Sequence, residues 1–363
     1  MIPLSKPFIG EKEKRAVLSV LDSGMLAQGP KVKELEKKFA ELCGTKYAVA
    51  TNSGTSALHT ALYALGVGKD DEVITTPFTF VATANAVLMQ NARPVFVDID
   101  DKTFNIDPDK IEEKITEKTK AIIPVDLFGH LYDHVKIQKI AKKYGLVILE
   151  DACQAVCGER DGKKAGQCGD MAAFSFYATK NLMCGEGGII TTDNEKYAER
   201  AKRFRQHGQN EHVKYEYLDI GYNYRMMDLQ AAIALEQIRR IEEFTKKRQK
   251  NAALLSKGLK QISGIVVPYV VENTKHAFHQ YSVLVPAEKR ENIVKGLGET
   301  GVGCGVFYPV PLHLQPHFKK FGYREGDFPI AEKISKQILS LPVNPLLSEN
   351  DIQKIISSMV NCL

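Results

Sequence analysis

Apolar residues recur along the chain at two periods, and their alternation outlines an α/β protein. Seven short runs, in which most or every second position is apolar, read as strands: 47–51, 72–75, 94–97, 121–125, 147–150, 172–176 and 188–191. Between many of them lie stretches at helical spacing, such as 57–65, 83–89 and 136–144. Repeated alternation of strand and helix predicts a mostly parallel seven-stranded sheet flanked by helices on both faces. Ligands of such sheets gather beyond the carboxyl ends of the strands, so candidate chemistry is sought where the apolar runs stop.

Outside the sheet region the pattern changes twice. Residues 11–21 and 31–42 predict two amphipathic helices, followed by Ser23-Gly24 and by Gly44, that form an N-terminal arm. After the last strand, 195–205 reads as a charged helix leading into His207-Gly208, and 209–222 as a surface crossing with little period and several aromatics. Residues 228–250 read as one long helix with charge pairs such as Glu243 with Lys247. Beyond it, strands at 264–271, 277–285 and 302–308 with helices near 288–298, 331–337 and 349–359 predict a smaller C-terminal α+β domain. The expected division is 1–235 for the arm and large α/β domain and 236–363 for the small domain.

Composition narrows the class. With 44% hydrophobic and 26% charged residues in 363, the chain sits in the ordinary globular range, which argues against disorder. No apolar run approaches the roughly 18 residues of a spanning helix, and Lys6 and the charges from Glu11 onward interrupt the N-terminal segment, so no membrane and a cytoplasmic location are expected. The net charge of +5 is mild and its basic residues are interleaved with acids, which does not imply nucleic acid. Seven scattered cysteines, an odd number, do not make a disulfide framework. Cys153, Cys157, Cys168 and Cys184 cluster in sequence but include no CxxC pair, and His313 and His317 lie in a proline-containing loop, so no metal is expected.

The candidate chemistry converges on three run ends. Lys180 stands between the strand-like Phe174-Ser175-Phe176 and a glycine-rich return, Gly185, Gly187 and Gly188. A lysine in a desolvated cleft loses its proton and can attack a carbonyl, the chemistry of a Schiff-base lysine. The run Leu146-Val147-Ile148-Leu149 ends in Glu150 and Asp151, which places acids at a buried strand end. The strand at 47–51 leads into Asn52-Ser53-Gly54-Thr55-Ser56 and a helical run, a cup of free N–H groups for a phosphate, although ordinary helix capping gives the same pattern. Amine, carboxylate and anion cup together point to pyridoxal 5'-phosphate (PLP), whose aldehyde, ring nitrogen and phosphate need those three groups.

The segments NSGTSAL, PFTFVATANAV, PVFVDID, AIIPVDLFG, EDACQA, FSFYATKN, GEGG, RQHG, GYNYRM and YPVPLHLQP, in this order over nearly the whole chain, resemble the DegT-type nucleotide-sugar aminotransferases, fold-type I PLP enzymes. The resemblance implies Lys180 as the cofactor lysine and proton shuttle, Asp151 rather than Glu150 at the ring nitrogen, and Gln154 at the ring hydroxyl. It implies Gly54, Thr55, Ser56 and Ser175 at the phosphate, Phe80 stacked on the ring, and Asn223 reaching the phosphate of a neighbouring subunit in a homodimer. The loop 25–30 resembles a segment near the sugar-nucleotide site, or is a simple helix connection. Arg225 is an anion contact or a surface ion pair, and Tyr308 and His313 are substrate contacts or packing residues. Some relatives with a histidine at the position of Lys180 are dehydratases, so the resemblance and the lysine imply amino transfer from L-glutamate to a UDP- or dTDP-linked keto-sugar for cell-surface polysaccharide or glycan synthesis. Members acting at C3 of the sugar often carry His-Tyr-Pro where this chain has Phe307-Tyr308-Pro309, which leaves the carbon open.

Overall fold

A computed structural model describes residues 1–210 and 213–363. Its centre is a seven-stranded sheet of β1 (Tyr47–Thr51), β2 (Glu72–Thr75), β3 (Arg93–Phe96), β4 (Thr119–Ile122), β5 (Val147–Asp151), β6 (Met171–Ser175) and β7 (Gly188–Thr192), in the order β1-β7-β6-β5-β4-β2-β3. All pairings are parallel except those of β7, which runs against both β1 and β6. One reversed strand has a positional consequence. Because β1 and β6 both oppose β7, they run in the direction of β5, and the carboxyl ends of β1, β5 and β6 share one edge of the sheet.

The strands are apolar at nearly every position because both faces are covered. On one face Ala50, Ile74, Ile122, Ile148, Phe174 and Ile189 form one cluster, packed with Val32, Leu35 and Phe39 of α2 (Pro30–Cys43). Their immediate neighbours Val49, Val73, Ala121, Leu149, Ala173 and Ile190 form the cluster on the other face, under α3 (Gly54–Ala64). This is the period of two that a pleated strand imposes. Phe39 meets Phe174 and Phe176 edge-on, with ring centroids 4.9 and 5.3 Å apart, and this anchors α2 beneath the strand that leads to Lys180.

The arm helix α1 (Glu11–Ser23) and α2 pack on a later helix spanning Asp228–Ile238. The Asp228 carboxylate accepts from the amides of Gly29, Lys31 and Val32, capping α2 from across the sequence and fixing the loop 25–30. The expected single helix over 228–250 is two, Asp228–Ile238 and Ile241–Leu259. Arg240 leaves helical geometry at the break, and its guanidinium lies over the rings of Phe8 and Phe244 at 4.1 and 4.9 Å.

Towards the C-terminus the expected strands shorten. Of the three expected strands, 277–285 keeps a paired strand, Tyr281–Leu284 with Ile338–Leu341, and the segments at 264–271 and 302–308 make single bridges, Val266 to Leu284, Val302 to Ile2 and Gly305 to Ser340. The amide of Ala277 donates instead to the carbonyl of Gly129, tying that segment to a loop of the large sheet. Leu255, Leu259, Tyr281, Val283, Leu297, Leu339, Ile355 and Ile2 form a separate cluster. A fourth cluster joins Phe78, Phe96 and Phe128 to Leu312, Phe318 and Phe328. In the segment 209–222, Tyr215, Tyr217, Leu218 and Ile220 are exposed; Glu211 and His212 lie outside the described residues.

Gly188 stands opposite Thr51 on one side and Ser175 on the other. A Cβ there would lie 2.2 Å from the Ser53 carbonyl oxygen, so backbone must move to admit any side chain. Gly188→Ala is therefore expected to destabilise the protein by roughly 3 kcal/mol or more, the upper range of overpacking costs, read as a fall in urea midpoint; an unchanged midpoint would contradict the close approach.

Candidate active site

Four segments meet at the shared edge. The first is the β1–α3 junction. Ser53 caps α3, its side chain accepting from the Ser56 amide at 3.1 Å, while the Ser56 hydroxyl bonds to Asn52 Oδ1 at 2.7 Å and to the Ser53 carbonyl at 2.8 Å. Ser56 is thus committed to the cap, and the amides of Gly54 and Thr55 are first-turn donors without an intrahelical acceptor. A Cβ at Gly54 would fall 2.7 Å from Ser175 Cβ and 3.3 Å from Cys153 Sγ, so the helix start, the end of β6 and the residues after β5 are in near contact. Ser175 Oγ accepts from the Tyr177 amide at 3.3 Å.

Asp151 ends β5 and is buried. Its Oδ2 accepts from the Thr83 hydroxyl at 2.7 Å, Thr83 lies 3.1 Å from the Thr79 hydroxyl, and Oδ1 accepts from the Cys153 amide at 3.2 Å. Lys180 sits on the β6–β7 connection, its amide donating to the Tyr177 carbonyl at 2.8 Å. Burial pushes the Lys180 amine below the ordinary lysine value, opposed by the nearby Cys153 and Asp151. Its neighbour Asn181 donates to the Ala277 carbonyl at 2.9 Å and pairs with His279 at 3.4 Å, which locks the lysine's turn to the C-terminal segment.

Gln154 accepts from the Phe128 amide at 2.9 Å and donates to the Tyr308 hydroxyl at 3.4 Å, which leads the C-terminal part of the chain into the cleft. Burial raises the Tyr308 phenol, so it stays protonated as a donor. Phe80 is 56% exposed and tilted 6.3 Å from Tyr308, an open ring face at the mouth of the cleft. Asn223 is exposed and its carbonyl faces Asn52 beside the cup; Arg225 is half-buried and forms no ion pair among the described residues. His313 is enclosed by Phe328 and by Glu332, whose Oε1 lies 3.0 Å from Nε2, and exposes no surface. Of the two roles open to His313, the geometry favours packing.

Sequence reasoning missed Thr83. It falls inside an apolar helical run, where a threonine reads as core, and only the Thr79/Thr83 spacing of four residues hints that two hydroxyls share a face. Among the described residues no group of three or more His, Cys, Asp or Glu is arranged to hold a metal ion, and no helix is long and apolar enough to cross a membrane.

A desolvated lysine, a buried carboxylate with its own donors, and a glycine-floored helix start are the three fittings that pyridoxal phosphate requires, and the residues present fit it. The fold and site define a PLP-dependent transferase. The DegT/DnrJ/EryC1/StrS aminotransferase family matches over residues 7–360, and the chain belongs to it. It is 41% identical to the spore coat polysaccharide biosynthesis protein SpsC of Bacillus subtilis, over 99% of this chain and 96% of that protein. It is 39% identical to the UDP-2-acetamido-2-deoxy-3-oxo-D-glucuronate aminotransferase of Pseudomonas aeruginosa, over 97% and 96%. Spr1654 of Streptococcus pneumoniae, solved in a PLP form, superposes with a TM-score of 0.94 at 30% identity, covering 100% of this chain and 99% of that one. The protein is an aminotransferase and its cofactor is pyridoxal phosphate.

The Thr83 bond to a buried carboxylate is of the charge-assisted kind. Thr83→Val is expected to weaken cofactor binding by roughly 10-fold to 100-fold, from a charged hydrogen bond of about 1.5–3 kcal/mol, with Thr83→Ser restoring most of it. Titration of the stripped enzyme with PLP measures this; equal affinity in wild type and Thr83→Val would remove Thr83 from the site.

Proposed function

We propose that the protein transfers the amino group of L-glutamate to the keto group of a UDP- or dTDP-linked keto-sugar, in the supply of amino sugars for a cell-surface polysaccharide or glycan. The observation that carries the amino-transfer chemistry is Lys180, desolvated beside Asp151 at the shared strand edge. The sugar class draws support from the family and from relatives named for spore coat polysaccharide and for a UDP-linked 3-oxo sugar acid. That second relative makes C3 the first carbon to test, although Phe307 stands where the C3 pattern often has histidine.

When bound, pyridoxal phosphate supplies an aldehyde that carries the amino group and a cationic ring that takes up electrons. Lys180 would hold it covalently, and its Nζ would move the proton at the donor's α-carbon. Burial already disfavours the charged form of that amine, which suits it to act as a base. Asp151, held by Thr83 and the Cys153 amide, would keep a proton on the ring nitrogen. Gly54, Thr55 and Ser175 would bind the phosphate, Gln154 the ring hydroxyl, and Phe80 would cover the ring and exclude water from one face. Tyr308, protonated and joined to Gln154, and Arg225 would contact substrate.

The same reading makes the enzyme a cytoplasmic homodimer in which Asn223 completes the phosphate site of the partner subunit; the exposed position of Asn223 beside the cup of its own chain supports this. It also divides the chain into 1–235, with lysine, carboxylate and cup, and 236–363, which supplies Tyr308.

Two measurements test the proposal. Lys180→Ala is expected to lower turnover by roughly 10^4-fold, the upper range for loss of a general acid–base group, and undiminished turnover would refute the lysine's role. Enzyme loaded with pyridoxamine phosphate is then mixed with UDP- and dTDP-linked 3-keto and 4-keto sugars; one of them should restore the PLP absorbance, and failure of all of them with success of a simple keto acid would reject the sugar class.

A further inference from the structure

Directly behind Asp151 lie two acids that the proposed chemistry does not use. Glu150 and Asp126 expose no surface. Glu150 points away from the cleft and accepts from the Gly166 amide, 3.0 and 3.1 Å from its two oxygens, and from the Cys168 amide at 3.0 Å. Asp126 Oδ1 accepts from the Tyr132 amide at 3.0 Å. Among the described residues Asp126 Oδ2 meets no N–H or O–H donor, yet the Asp126 carboxyl is in hydrogen-bond contact with that of Glu150. Two carboxylates are acceptors only, and such a contact is attractive only with a hydrogen between them. No lysine or arginine forms an ion pair with either among the described residues, so no cation offsets a second charge.

We propose that Asp126 and Glu150 share one proton at neutral pH, so that the pair places a single negative charge, not two, directly behind Asp151. The clause about Asp151 rests on the cofactor reading above; the shared proton does not. Burial, the strongest influence on both groups, pushes Glu150 up to about 7 and Asp126 well above the usual carboxylate range. The pair reaches Asp151 through the backbone as well, because the Asp126 amide donates to the Asp151 carbonyl at 3.0 Å. Were both acids ionised, each would raise the proton affinity of the other, and two buried charges in place of one would stand behind Asp151. Asp126 and Glu150 are thus positioning residues that act through Asp151.

The other titratable groups facing the pair are Asp151, Tyr132, Cys43, Cys153 and Cys168; burial raises the tyrosine and the three cysteines, which keeps them neutral over the range that matters. The folded protein therefore holds one proton more than the unfolded chain between the ordinary carboxylate pKa, about 4, and the raised value of the pair. Stability from this source is complete below that window and is lost as pH rises through it.

The test compares holoenzyme of wild type, Asp126→Asn and Glu150→Gln. In Asp126→Asn the amide donates to the Glu150 carboxylate, so the single charge stays and the titrating proton is gone. Between about pH 5 and about pH 9 the wild-type Tm is expected to fall by about 2 °C or more per pH unit relative to Asp126→Asn. At neutral pH the wild type should show the infrared carbonyl band of a buried protonated carboxyl, and Asp126→Asn should lack it. If Asp126→Asn does not fold, Glu150→Gln, whose amide donates to Asp126, gives the same two readings. In the double variant the pair is neutral, and the pH midpoint of the cofactor's spectral change should move down by roughly one unit, as loss of a nearby anion requires. Coincident Tm profiles, or no protonated-carboxyl band in the wild type, would overturn the shared proton. An unmoved midpoint with the band present would overturn only its action through Asp151. The infrared reading is independent of whether the enzyme aminates sugars.

Discussion

The structure depends on keeping a half-buried amine and a buried carboxylate close together at one edge of the sheet. Burial pushes the Lys180 amine below the ordinary lysine value, while Cys153 and Asp151 pull the other way. Such a balance is short-ranged, so the backbone must hold both residues firmly. It does so with the central sheet: Asp151 is the last residue of β5, paired with Ala173 of β6, and Lys180 lies five residues beyond the end of β6. The reversed strand β7 closes that short connection, and Gly188 lets the Ser53 backbone approach closely enough to bring the α3 start to the same spot.

The remainder of the fold supports this edge from several directions. Phe39 of α2 wedges under Phe174 and Phe176, and α2 is in turn capped by Asp228 from a later helix. Asn181 carries the lysine's turn to Ala277 and His279, while Arg248 donates to the Phe278 carbonyl from beneath. The N- and C-terminal parts of the chain thus meet at one cleft, with Gln154 and Tyr308 as their polar contact. Acidity is layered in the same way: Thr83 supports Asp151 from one side, and the Asp126–Glu150 pair stands behind it.

Much of this was legible in the sequence because the sheet is buried on both faces. Seven dense apolar runs announced seven strands, and lysine and acid at the ends of two of them announced the chemistry. What stayed hidden depends on contacts between distant segments. Thr83 looks like core until Asp151 is beside it, and Asp126 looks like an ordinary strand-end acid until Glu150 is found against it. Ser56 and His313 carried two readings each, and only their partners, Ser53 with Asn52 and Glu332 with Phe328, separate them. Periodicity overstates the strands at 264–271 and 302–308 because Val266, Val302 and Gly305 each find a partner at a single residue.

In the proposed function one amine, that of Lys180, carries the cofactor beside Asp151. Borohydride reduction of the holoenzyme followed by peptide mapping tests it most directly, because reduction fixes the cofactor to whichever lysine holds it. A pyridoxyl label is expected on Lys180 alone, lost when excess L-glutamate is added before reduction. A label on any other lysine, or a Lys180 label that glutamate leaves untouched, would contradict it.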